Sequence, residues 1–158
     1  MYVQKFVNVG WALTFLIFFG VLMLAYAYLP DQLNWLNEAG FSLTRETFFY
    51  GVLALFVVIN LAALLLRRML EALPLSASIY RRNEAFKERL IAWFGGLMSA
   101  INVCIISLVG YLSLAHNQED FSIDIFSFLI YLGPALLLLC IFWLFGVLSS
   151  RQRYELNQ

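Results

Sequence analysis

The sequence predicts an all-α integral membrane protein: one membrane domain, 1–158, folded as a four-helix bundle with both termini cytoplasmic. Three observations carry this. The 158 residues are 63% hydrophobic and 13% charged, with a mean hydropathy of +0.82, where a soluble domain carries roughly 25% charged residues. Four stretches are long and apolar enough to cross a bilayer. The basic residues then fall almost entirely on one side of the resulting layout. A chain this short has too much surface for its volume to hide so much apolar area in its own core, so the bilayer must take the surplus.

A helix crossing a hydrocarbon core of ~30 Å needs about 20 apolar residues. The expected spans are 7–29, 48–66, 90–115 and 125–148. In lipid, backbone groups must be satisfied internally, which leaves helices or closed barrels. Barrel strands would be near 10 residues with alternating polarity, and these runs are longer and uniformly apolar. The first span also has the outline of a signal peptide, with Lys5 before it and Ala25-Tyr26-Ala27 as a small-x-small site. Its apolar run is longer than such segments typically have, so it is read as a retained span.

Orientation follows from charge, because Lys and Arg stay on the cytoplasmic side during insertion. Lys5, Arg67, Arg68, Arg81, Arg82, Lys87, Arg89, Arg151 and Arg153 occupy the tails and the loop 67–89, and Arg45 alone lies in the outer loops 30–47 and 116–124. Those outer loops carry Asp31, Glu38, Glu46, Glu119, Asp120 and Asp124. Such carboxylates either keep a loop solvated or bind a basic ligand or divalent cation. Trp11 and Trp93 near the cytoplasmic ends, and Tyr26, Tyr28, Trp35, Phe48, Phe49 and Tyr50 at the outer boundary, read as interfacial belts.

Between the spans, Pro30 ends the first helix, having no N–H to continue the ladder. The segment 31–47 is expected as a loop with one interfacial helical turn, or as an outward-facing lid. Thr44 is the expected N-cap of the second helix, with Glu46 in its first turn. The second helix should run past the membrane to Leu73. Beyond Pro74 a new helix is expected from near Ser76 or Ser78, continuous with the third span. Its stretch 80–89 mixes basic and acidic residues, as a solvated extension or a contact for anionic lipid.

Ionisable residues inside a membrane are the usual mark of transport or proton relay, and the four expected spans contain none. Within them the polar residues of note are Asn60, nearer the cytoplasmic side, and Asn102, near mid-membrane. Amides of this kind join helices, at ~0.6–2 kcal/mol each, or contact a ligand or partner helix. Gly96, Ala100, Cys104 and Ser107 share one face of the third span, a small-residue packing face that lets helices approach closely. Gly133-Pro134 should kink or loosen the fourth span. His116 reads as an interface residue. Cys104 and Cys140 form no metal-ligand spacing. No catalytic, metal or cofactor set is expected.

Leu29-Pro30-Asp31 followed by Asn37-Glu38-Ala39-Gly40 resembles the outer-loop signature of the SdpI-like membrane family, whose shared region is domain of unknown function 1648. There a similar loop follows the first membrane helix. This chain departs from it in lacking the family's usual loop proline and histidine. The resemblance implies an immunity or signalling membrane protein and assigns no catalytic residue. Together these readings point to a small, multi-pass, non-enzymatic protein of the bacterial inner membrane. It would act as an accessory, immunity-type or assembly subunit, partnered by the bilayer and by a membrane protein or further copies of itself. Its balanced charge argues against nucleic acid. The alternatives are a transporter or channel subunit whose pore forms on oligomerisation, and a membrane enzyme using Glu38, Glu119 and Asp120.

Overall fold

The computed structural model describes the backbone of residues 2–36, 41–77, 79, 80, 83–116 and 127–155, and their side chains except at 2, 34–36, 41, 42 and 150–155. Four helices, α1 (Tyr2–Tyr28), α2 (Arg45–Ala72), α3 (Glu84–Ala115) and α4 (Leu129–Glu155), are joined between α1 and α2 by an antiparallel hairpin of β1 (Gln32–Leu36) and β2 (Phe41–Thr44). All four helices are long and apolar enough to cross a membrane. Even the shortest such run, 21 residues of α4, reaches ~32 Å at ~1.5 Å per residue.

The helix α3 is the hub. It packs along α1 and α4 and more lightly on α2, while α1 and α2 touch each other little. Asn8 of α1 bonds Arg67 of α2, and Trp143 of α4 lies against Gly96 of α3. The beginning of α1 and the later part of α4 therefore share one end of the bundle, here the termini end, and the hairpin lies at the other. The hairpin-end core joins Phe18, Leu22, Ala25 and Leu29 of α1 to Phe48 and Phe56 of α2, Val109 of α3 and Leu33 of β1. Phe18 and Phe56 stack with ring centroids 3.6 Å apart.

Two expectations about the connections need correction. The segment after Pro30 is a hairpin rather than a loop with a helical turn. Its register pairs Gln32 with Thr44, Leu33 with Leu43 and Asn34 with Ser42, with an irregularity before Leu36 meets Phe41. The reason is a period of two: Leu33, Asn34, Trp35 and Phe41, Ser42, Leu43, Thr44 alternate apolar and polar, as a half-covered strand does. Leu33 is buried against the core. Residues 37–40 lie outside the described residues.

Secondly, α3 starts at Glu84, not near Ser76 or Ser78 (Ser78 lies outside the described residues). Asn83 is the N-cap, its Oδ1 accepting from the Phe86 N–H at 2.9 Å. Ahead of it come i→i+3 turns, Ala77 N–H to Pro74 C=O and Tyr80 N–H to Ala77 C=O. They fold Tyr80 into a small core with Phe86 and Val147, a placement the straight extension expected from Ser76 does not provide for. The helix α4 runs on through Pro134. Gly133 is there for proximity: a Cβ on it would stand 2.5 Å from the Cys104 Cα of α3.

Elsewhere the ends match the expected chemistry. Thr44 caps α2, its Oγ1 accepting from the Thr47 N–H at 3.2 Å. The helix α2 ends at Ala72 with Leu73 as C-cap.

Candidate functional site

The polar interior is built from three helix faces. On α2 the buried residues Phe56, Asn60, Ala63 and Arg67 recur at helical spacing, so one inward stripe carries an amide and a guanidinium. On α1 the facing residues are the buried Thr14 and Phe18, with Trp11 half-buried and Asn8 exposed toward the termini end. On α3 it is Gly95 and Asn102, both buried.

Asn60 and Asn102 meet as a reciprocal amide pair: Asn60 Nδ2 donates to Asn102 Oδ1 at 2.9 Å, and Asn102 Nδ2 donates to Asn60 Oδ1 at 3.0 Å. The second N–H of Asn60 goes to the Phe56 carbonyl at 2.9 Å, and that of Asn102 to Thr14 Oγ1 at 2.8 Å. Thr14 Oγ1 donates to the Trp11 carbonyl at 2.6 Å, and Trp11 Nε1 donates to Asn60 Oδ1 at 2.9 Å. Every donor of the pair thus has an acceptor, which is what a low-dielectric interior demands. The network ties α1, α2 and α3 together. Asn60, expected nearer the cytoplasmic side, stands level with Asn102.

One turn or two toward the termini end, Arg67 lies inside the bundle with its side chain 11% exposed. Its Nε donates to Glu71 Oε1 at 2.9 Å and its Nη1 to Asn8 Oδ1 at 2.7 Å. The guanidinium also sits over the Trp11 ring, 5.8 Å from its centroid. Sequence reasoning placed Arg67 in the loop 67–89. The signal that would have found it is its spacing from Phe56 and Asn60 on one helical face. Gln4, Asn8, Trp11, Leu64, Arg67, Arg68 and Glu71 line an open recess of about 490 Å³ between α1 and α2.

The small face of α3 is where α1 and α4 come close. A Cβ on Gly96 would lie 2.6 Å from the Trp143 ring, and Gly95 stands equally close to Val7. Ala100 and Ser107 are buried, and Cys104 is the residue under Gly133. Trp93 Nε1 donates to the Cys140 carbonyl at 2.8 Å. Trp11 and Trp93, read from sequence as belt residues, therefore turn their N–H groups inward to fasten helices. Cys104 and Cys140 are free thiols.

At the hairpin end, Arg45 pairs with Asp31 at 2.8 Å, donates to the Leu29 carbonyl at 3.3 Å and covers the Tyr26 ring at 4.8 Å. The Asp31 carboxylate, expected in an outer loop, is thus engaged within the chain. Glu38, Glu119, Asp120 and Asp124 lie outside the described residues. His116 is the C-cap of α3, its Nδ1 3.1 Å from the Leu112 carbonyl. Among the described residues no three His, Cys, Asp or Glu side chains gather as a metal site.

In the connection between α2 and α3, Tyr80 is buried and its hydroxyl donates to the Leu70 carbonyl at 2.5 Å. Burial, and then the nearby Glu71 charge, push its phenol above the ordinary 10.0. Lys87 Nζ donates to the Glu71 and Leu73 carbonyls at 2.8 and 2.7 Å, closing the C-terminal end of α2. Comparison with protein families, with curated proteins and with solved structures finds no match to this chain.

Proposed function

We propose that this chain is a non-enzymatic subunit of the bacterial inner membrane, with both termini cytoplasmic, that acts by binding a membrane-protein partner. An accessory, immunity-type or assembly role fits that chemistry. The observation that carries the reading is the amide network. Its donors are all taken up within the same chain, and the bonds from Trp11 to Asn60, between Asn60 and Asn102, and from Asn102 to Thr14 cross from helix to helix, so the polar groups deepest in the bundle hold the scaffold together. Recognition then falls to the outside, where α4 presents Leu138, Leu139, Ile141, Phe142 and Phe145. Kinship with SdpI-like immunity and signalling proteins belongs to the same proposal. It rests on the sequence of Leu29-Pro30-Asp31 and Asn37-Glu38-Ala39-Gly40.

The test is crosslinking in intact cells, purification in mild detergent and mass spectrometry of what is retained. A stoichiometric membrane protein of different sequence supports the reading. A ring of identical chains would replace it with the runner-up, a transporter or channel subunit whose pore forms on oligomerisation. Recovery of the monomer alone after crosslinking would overturn both.

A further inference from the structure

We propose that the recess between α1 and α2 at the termini end binds the phosphate of an anionic membrane phospholipid. The site is built, not merely basic. Arg67 is fixed in place by Asn8, Glu71 and the Trp11 ring. Its bonds to Asn8 and Glu71 engage two N–H groups of a guanidinium that carries more. Arg68 is the opposite: its side chain is 76% exposed and stands 3.9 Å from Glu71, a loose arm beside a rigid floor. Two arginines against one glutamate leave the lining with one net positive charge. Asn8 accepts from Arg67 through Oδ1, which leaves its Nδ2 as a further donor, and Gln4 lines the same recess. Guanidinium forks with neutral amides suit phosphate oxygens, and the volume of about 490 Å³ falls within the ~300–1,000 Å³ of small-ligand sites.

Depth selects a lipid over a soluble phosphate. Arg45 and Arg67 stand about 33 Å apart along α2 at ~1.5 Å per residue, close to the ~30 Å of a hydrocarbon core. Each sits over an aromatic ring, Tyr26 and Trp11 respectively, and the residues between them are free of charge apart from Glu46 in the first turn. Arg67 therefore lies where the headgroup layer begins. The recess itself has Leu64 on its wall, and the nearby Leu61 and Leu65 of α2 are exposed to take acyl chain. Basic pockets between membrane helices hold phospholipid headgroups by this combination of depth and charge. The inference rests on the membrane-spanning reading and is independent of the proposed protein partner.

The experiment titrates detergent-solubilised protein with dioctanoyl phosphatidylglycerol, dioctanoyl phosphatidylcholine and inorganic phosphate, counting bound molecules by native mass spectrometry. One phosphatidylglycerol per chain should bind in preference to phosphatidylcholine. Arg68→Gln should weaken it about fivefold, the effect of one basic group at an anionic surface. Arg89→Gln, which alters the adjoining recess lined by Val3, Glu88 and Trp143, should leave it unchanged: that recess shares only Gln4 with the proposed site, and both of the site's arginines stay in place. Arg68 is exposed and makes only the long contact to Glu71, so its replacement leaves the fold intact. Unaltered binding by Arg68→Gln overturns the site, as does equal loss in both variants. Displacement of phosphatidylglycerol by equimolar inorganic phosphate overturns the lipid as its occupant.

Discussion

The amide pair of Asn60 and Asn102 illustrates how a single polar residue acts in an apolar bundle. Removing one partner leaves the other's donors facing hydrocarbon side chains, and a buried unsatisfied group costs more than the bond itself returns. Asn102→Leu strands Asn60 and Thr14 together. It should lower stability by ~1–2 kcal/mol, the upper part of the range for interhelical bonds in membranes. Asn60→Leu should cost a similar amount and also frees the Trp11 N–H. The double variant should cost clearly less than the sum of the two, because the orphaned amide is gone. A double-mutant cycle of detergent unfolding measures this, and strict additivity would mean that the pair does not couple. Both asparagines were visible in the sequence as polar residues within spans. That they are partners was not, because residue spacing within α2 or within α3 says nothing about relative height between helices.

At the scale of elements, the end of α2 is tied to the start of α3 by side chains. Lys87 holds the last carbonyls of α2 from the first turn of α3, and Tyr80 lies beneath them with its hydroxyl on Leu70. The phenol's raised pKa sets a pH dependence. The unfolded chain releases the Tyr80 proton near the ordinary 10.0 while the folded chain still holds it. The unfolded state then binds fewer protons, so stability falls as pH rises. Thermal unfolding between about pH 9 and pH 11 should show a steeper loss for the parent than for Tyr80→Phe, which has no proton to release there. At neutral pH the same variant should lose ~1 kcal/mol with its hydrogen bond. Parallel pH profiles would show that Tyr80 does not drive the loss. The sequence marked Pro74 as a break and the end of α2 close to its place. It did not mark Asn83 over the serines as the cap of α3, because that choice depends on where Tyr80 is buried.

For the whole molecule, the proposed orientation has both termini in the cytoplasm: four crossings would leave them on one side, and the distribution of basic residues is what supports assigning that side to the cytoplasm. Single cysteines at Ser78 and Asn157, in a background lacking Cys104 and Cys140, should resist a membrane-impermeant thiol reagent applied to intact cells. One at Gln118 should react. Labelling at Ser78 from outside would reverse the orientation and place the arginine recess on the opposite leaflet. The central position of α3 follows from its lack of bulk. Gly95 admits Val7 of α1 and Gly96 admits the Trp143 ring of α4, while Cys104 lies under Gly133. Those contacts let one helix serve two neighbours on adjacent faces.

The amino-acid sequence alone determined the number of helices, their approximate limits and the small face of α3. Each of these rests on local composition: a long apolar run is helical in lipid whatever surrounds it, and Gly96, Ala100 and Cys104 share a face by helical period alone. The hairpin was present as the alternation of Leu33, Asn34, Trp35 and Phe41, Ser42, Leu43, but strands this short are stable only when something covers them. Here the cover is the core of α1 and α2 around Leu33. Arg67 marks the boundary most sharply. By composition it is the first charge after an apolar run, and so a loop residue. Only the approach of α1 decides otherwise, because Asn8 and Trp11 supply the hydrogen bond and the aromatic ring that let a guanidinium stay inside the bundle.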